Sequence, residues 1–163
     1  MAKAIKDYIL TGQTSTTDTG DYSGKGTGTM TINDSQLQGD FRATFEAKYN
    51  DDDLASHMAT DSDNACKAND TVQENSSGTV ITPSGASSSF SGPAVGKFSG
   101  DKSLIATPLK GCFQTMRGMM AAGGNELYAA QLAIAADAYL KAGAITVQLK
   151  SPFVSGSGSG KIA

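Results

Sequence analysis

The sequence predicts an α+β protein, predominantly antiparallel β in a sandwich or barrel-like sheet, with one long alanine-rich helix near the C-terminus packed on that sheet. Three observations predict it. Nineteen glycines in 163 residues, with many Ser and Thr and no Trp, describe short strands and frequent turns. The run from Phe41 to Tyr49 alternates Phe41, Ala43, Phe45, Ala47 and Tyr49 against Arg42, Thr44, Glu46 and Lys48, the period of a half-buried strand. Finally, NELYAAQLAIAADAYLKAG carries helix signals at both ends: Asn125 as N-cap, Glu126 in the first turn, Lys141 in the last and Gly143 as a left-handed stop.

From the N-terminus, Ala2 to Leu10 suits a short helix using Ile5, Tyr8 and Ile9, or an extended arm. Residues 11–28 are so rich in Gly, Thr, Ser and Asp that they read as a long polar loop or mobile hairpin. Strands are expected at Thr27 to Ile32 and Asp40 to Tyr49, followed by a turn that Asp53 caps through Leu54, His57 and Met58. A second polar loop is expected over 60–78. Short strands follow at Thr79 to Thr82, Ser87 to Phe90, Ala94 to Phe98 and Leu104 to Thr107, then a short helix or strand from Cys112 to Ala122. Gly123 and Gly124 break the chain before the main helix, Glu126 to Ala142. Ile145, Val147 and Leu149 alternate in a last strand that Pro152 stops. The length suits one domain, residues 1–154, with residues 155–163 as a flexible Gly/Ser tail. The expected core joins Phe41, Phe45, Tyr49, Leu127, Tyr128, Leu132, Ile134, Ile145, Val147 and Leu149.

A net charge of −3 and 18% charged residues leave no basic footprint for nucleic acid. No stretch has the length and apolarity of a membrane span, and MAKAIKDYIL lacks a signal peptide's apolar centre, so cytoplasmic synthesis is expected. On that basis the sequons at Asn33, Asn69 and Asn75 carry little weight.

His57 is the only histidine, with Asp53 and Asp61 at helical spacing. No nucleophile frame accompanies it, and an exposed turn histidine is the simpler reading. The acidic runs Asp51 to Asp53 and Asp61 to Asn64 offer hard oxygen ligands but lack the Gly and Glu of a calcium loop. A solvated acidic surface accounts for them. SGKGTG, Ser23 to Gly28, departs from phosphate-loop spacing and is not followed by a helix. Cys66 and Cys112 allow one disulfide, and the polar run around Cys66 suggests an exposed, oxidisable thiol. Reduced buried thiols are the alternative, and a zinc site lacks further ligands. No cofactor is expected.

On a helical wheel Leu127, Ile134, Ala138, Ala142, Ala135, Tyr128, Tyr139 and Leu132 form a core arc. Ala129, Ala133, Ala136 and Leu140 form a second, smooth apolar face, leaving a narrow polar stripe of Glu126, Asp137 and Lys141 around Ala130. A helix so nearly apolar all round implies cover from a second body. Simple solvation of alanines chosen for helix propensity is the competing explanation. The pattern favours a non-enzymatic, self-assembling structural subunit of a larger particle, such as a virion tail tube, capsid decoration or filament, made without a signal peptide and incorporated into a virion or extracellular assembly. Its partners are then copies of itself and other structural proteins, not a membrane or a specific nucleic acid. A β-rich module binding carbohydrate or protein comes second, and a hydrolase using His57 last.

Overall fold

In the computed structural model, inward and outward positions alternate along six strands, and much of the inward set is Gly, Thr, Ser or acidic rather than apolar. Every residue is described except Asn69, Thr82, Pro83, Gly118, Met120, Lys150, Pro152, Phe153 and Ala163, and the side chains of Ala121 and Ala122. The elements run α1 Ala2–Thr11, β1 Thr14–Gly20, β2 Tyr22–Met30, α2 Asp34–Glu46, α3 Asp51–Lys67, β3 Val72–Ile81, β4 Ser87–Ser99, α4 Ser103–Met116, α5 Ala121–Ala142, β5 Ala144–Leu149 and β6 Gly156–Ile162.

The strands form a closed antiparallel barrel in sequence order, β6 returning to pair with β1 from Thr14↔Ile162 to Gly20↔Gly156. The chain divides into two compact bodies: a barrel body, residues 8–32, 66–99 and 143–163, and a helical body, residues 1–7, 33–65 and 100–142. Most of the helical body is thus inserted between β2 and β3 and between β4 and β5.

Eight strands make a barrel just wide enough for side chains to fill, so six leave less room. The inward positions of β2 answer with Tyr22, Gly24, Gly26, Gly28 and Met30, and those of β6 with Gly156, Gly158, Gly160 and Ile162. Met30, Val72, Ala94, Phe98, Ile145, Val147 and Ile162 supply the apolar part of the interior. At the β1–β2 turn, Gly20 has a φ of 142°. The next residue, Asp21, accepts from the Ser155 amide (3.0 Å) and hydroxyl (2.6 Å), securing the chain just ahead of β6.

These strands overturn several expectations. Residues 11–28, expected as a long polar loop or mobile hairpin, contain the hairpin of β1 and most of β2, built into the barrel on both sides, and 155–163 is not a free tail, because β6 is paired on both sides. The 60–78 loop is the end of α3 and much of β3. Gly143 is not left-handed: among the described residues the positive-φ glycines are Gly20 and Gly85. What requires glycine at 143 is the Phe98 ring, onto which a Cβ would fall.

In the helical body the Phe41 to Tyr49 segment is not a strand: Phe41 to Glu46 is the end of α2, and the chain leaves it through a turn in which Lys48 has a φ of 54°. Asn33 caps α2 by accepting from the Gln36 amide at 3.1 Å, and Leu37, Phe41 and Thr44 are buried at helical spacing, leaving Phe45 and Tyr49 exposed. The cap and the Leu37 stripe lie outside the alternating window, so the window alone misleads. α3 opens on Asp51, Asp52 and Asp53 and closes on Lys67, charges that suit the two ends of its dipole. α4 takes in Leu104 to Thr107, expected as strand, and buries Ile105, Leu109, Cys112 and Phe113. α5 begins at Ala121 and runs through Gly123 and Gly124, so Asn125 is not its N-cap; Gly124 is buried and lies against Met116. The helix expected against the sheet belongs to this helical body, and its neighbour there is α4.

Two measurements check this description. Deleting residues 156–163 unpairs β1 and β5 together and is expected to lower Tm by about 10 °C or more in a thermal melt. A free tail would leave Tm unchanged. The hydrogen bonds from Ser155 hold the Asp21 carboxyl below the usual aspartate range, so their contribution is present above the unfolded pKa and lost as pH falls through the folded one. Protection of the Ser155 amide in hydrogen exchange is expected to drop over that acidic window in the native protein, and to be low at all pH values in Asp21→Ala.

Candidate functional site

Inside the barrel, three adjacent strands bring together a set of polar groups that the sequence does not advertise. β1 turns Thr14, Thr16 and Asp18 inward, β3 turns Glu74 and Ser76 inward, and β2 between them contributes Gly26 and Tyr22. The register aligns Thr16, Gly26 and Ser76 across the three strands, and Thr14, Gly28 and Glu74 beside them. Asp18 is 0% exposed and Glu74 5%. The Thr16 hydroxyl oxygen stands 2.8 Å from Asp18 Oδ1 and 2.7 Å from Glu74 Oε2, while the Tyr22 hydroxyl donates to Asp18 Oδ2 at 3.0 Å.

Glycine is needed at two positions for this cluster to exist. A Cβ on Gly26 would collide with Glu74 Oε2 and Thr16 Oγ1, and one on Gly158 would fall on Asp18 Oδ1. Burial raises the Tyr22 phenol above its ordinary pKa; Asp18 and Glu74 add to the rise, and the nearby Ser76 hydroxyl opposes it. Glu74 Oε1, Thr14 Oγ1 and Ser76 Oγ make no aligned hydrogen bond to protein. Lys25, Lys97 and Lys161, on the strands of the barrel, are all exposed. Among the described residues no group of three or more His, Cys, Asp and Glu gathers, so an ion here would rest on two carboxylates and hydroxyls.

The sequence-derived candidates lie elsewhere. On α5, Ala129 and Ala133 are exposed and Ala136 half-buried, but Leu140 is 4% exposed and so leaves the proposed interface. Ile134, expected in the core, is 60% exposed. The open face of α5 is therefore rotated from the expected one, carrying Ala129, Ala130, Ala133, Ile134 and Ala138 with Glu126, Asp137 and Lys141. Cys66 and Cys112 form no disulfide with each other and are both buried, against the exposure expected for Cys66. Burial raises the Cys112 thiol, which keeps it in its less reactive form.

His57 is exposed on α3 and stacks on Tyr49 with ring centroids 4.1 Å apart and planes 12° from parallel. Its two aspartate neighbours are engaged elsewhere: Asp53 with Asn50 and Asp61 with Thr44. The first acidic run is likewise occupied, Asp51 by Arg117 and Asp52 by Lys110, both at 2.6 Å. Lys25 of the SGKGTG segment points outward from β2, in a strand rather than a phosphate-binding turn. Of the sequons, Asn33 caps α2, Asn75 is exposed on β3, and Asn69 lies outside the described residues.

No protein-family model, curated protein or solved structure matches this chain. The barrel cluster is the site that sequence reasoning missed. Its signal was Thr-x-Thr-x-Asp and Glu-x-Ser at strand spacing, facing a strand with glycine at alternate positions.

Gly26→Ala is expected to cost about 1–3 kcal/mol in denaturant unfolding, because the new methyl displaces the Glu74 carboxylate and the Thr16 hydroxyl. Gly39→Ala, in α2 with nothing near its would-be Cβ, serves as the control and is expected to stabilise by up to about 1 kcal/mol.

Proposed function

We propose that this chain is a structural subunit without catalytic activity that self-associates through the open face of α5, as virion tail-tube, capsid-decoration or filament subunits do with their own interfaces. The observation that carries the reading is Ile134, 60% exposed amid exposed Ala129, Ala130, Ala133 and Ala138. Large side chains stand out singly on many monomers, but here the surrounding surface is smooth enough for a second helix backbone to approach.

The order of residues on that face supports a second copy as the partner. About a two-fold axis between Ala133 and Ile134, an antiparallel pairing places Glu126 opposite Lys141, Ala129 opposite Ala138, and Ala130 opposite Asp137. Lys141 already bridges Asp137 on its own helix at 2.9 Å, so the incoming carboxylate meets a charge held in place. Antiparallel helix dipoles favour the same arrangement. An isologous pair is one contact of a lattice; a larger particle needs a second.

Sedimentation velocity checks the reading. The unmodified protein is expected to form a concentration-dependent dimer or higher species. Ala133→Glu, which puts a charge beside the axis in both copies, is expected to weaken association by at least about 3 kcal/mol with an unchanged circular dichroism spectrum. A monomer at high concentration, or a Glu variant that associates as before, turns the balance to a binding module.

A further inference from the structure

We propose that the barrel interior is a binding site for one hard divalent cation, calcium, held by Asp18 and Glu74. The first argument is a count of protons. The Thr16 hydroxyl has one hydrogen, yet its oxygen lies within 2.8 Å of carboxylate oxygens from both Asp18 and Glu74. It donates to one of them, and the other contact is closed either by a proton on that carboxyl or by a cation shared between the oxygens.

The second argument is charge. Two carboxylates, 0% and 5% exposed, sit in one interior, and the lysines of the surrounding strands are exposed. Unpaired buried charge is among the most costly arrangements in a folded protein. A divalent ion balances both acids. A monovalent one leaves a net negative charge.

Oxygens without a protein partner lie beside the two acids. The hydroxyls of Thr14 and Ser76, 1% and 0% exposed, make no aligned hydrogen bond to protein, and neither does Glu74 Oε1. All belong to inward positions of β1 and β3, in register with Glu74 and Thr16 across β2. Ser76 Oγ and Glu74 Oε1, with Asp18 Oδ1 and Thr16 Oγ1, make an all-oxygen donor set, while Thr14 lies about 13 Å along β1 from Asp18. Zinc favours nitrogen and sulfur ligands, and magnesium keeps several of its waters in strict octahedral geometry. Calcium accepts irregular oxygen cages with neutral and charged donors mixed.

β1 and β3 are not adjacent, so the donors converge only when β2 lies between them. Binding is therefore coupled to barrel formation and appears as thermal stabilisation. The experiment uses the full chain, stripped with a chelator and confirmed folded by circular dichroism, with calcium chloride as the probe. Equilibrium dialysis is expected to give one calcium per chain, and Tm is expected to rise by about 5–10 °C at a calcium concentration 100 times Kd. Magnesium at the same concentration is expected to shift Tm much less. Glu74→Gln, which keeps the side-chain shape, and Ser76→Ala, which removes one hydroxyl, are each expected to weaken calcium binding at least tenfold, so the test stands if one of them fails to fold. Asp52→Asn, in the surface acidic run, is expected to bind as the unmodified protein does. The proposal is overturned if the folded protein takes up no calcium, if both interior variants bind normally, if magnesium substitutes fully, or if Asp52→Asn abolishes uptake.

Discussion

The narrow bore of a six-stranded barrel is the constraint from which the rest of this structure follows. With so little radius, the inward positions cannot all carry large side chains, and β2 and β6 give most of theirs to glycine. The freed volume goes to a few groups that reach across: Phe98 over Gly143, and Asp18 and Glu74 over Gly158 and Gly26. A wider barrel would fill with aliphatic residues and need no such alternation. Here the small residues and the buried acids are two sides of one packing solution.

Helical and barrel bodies are held by different chemistry. In the helical body, apolar residues at helical spacing bury Leu37, Phe41, Met58 and Leu109, and one polar link, the Tyr139 hydroxyl donating to Asp63 at 2.5 Å, joins α5 to α3 in the interior. Asp61 accepts from Thr44 of α2, and the other acids of α3 stand at its N-terminus, where they meet the dipole, Lys110 and Arg117. The barrel instead takes its continuity from backbone pairing all the way round, and its side-chain interior is partly polar.

That difference explains what could be read in advance. α5 and β5 were legible, because a long amphipathic run and an Ile145, Val147, Leu149 alternation are hydrophobic signals, and hydrophobic periodicity is what sequence reading detects. The α+β class with abundant antiparallel sheet was legible from the Gly, Ser and Thr content, even though the Phe41 to Tyr49 alternation taken as its clearest strand belongs to α2 and the turn after it. β1, β2 and β6 were not, since their period of two is written in size and polarity, Gly against Ser, Thr or Lys, and such segments look like linkers. α2 was misread because Phe41, Phe45 and Tyr49 mimic an alternation, while the residues that decide, Asn33 and Leu37, stand upstream. The acidic cluster was hidden by both effects: Asp18 and Glu74 lie in stretches that composition assigns to solvent.

The pairing of β1 with β6 has a consequence in time as well as in space. Thr14 and Ile162 lie near opposite ends of the chain, so the barrel's last seam is also its most non-local contact. During synthesis β1–β2 and β3–β4 can each zip as a hairpin and join once α2 and α3 have emerged between them, but the seam waits for β6 to leave the ribosome. Through that interval β1 shows a bare edge of Thr and Gly, polar on both faces, which is a poor template for aggregation. The low hydrophobicity that makes this strand hard to recognise also makes it safe to leave open until its partner arrives.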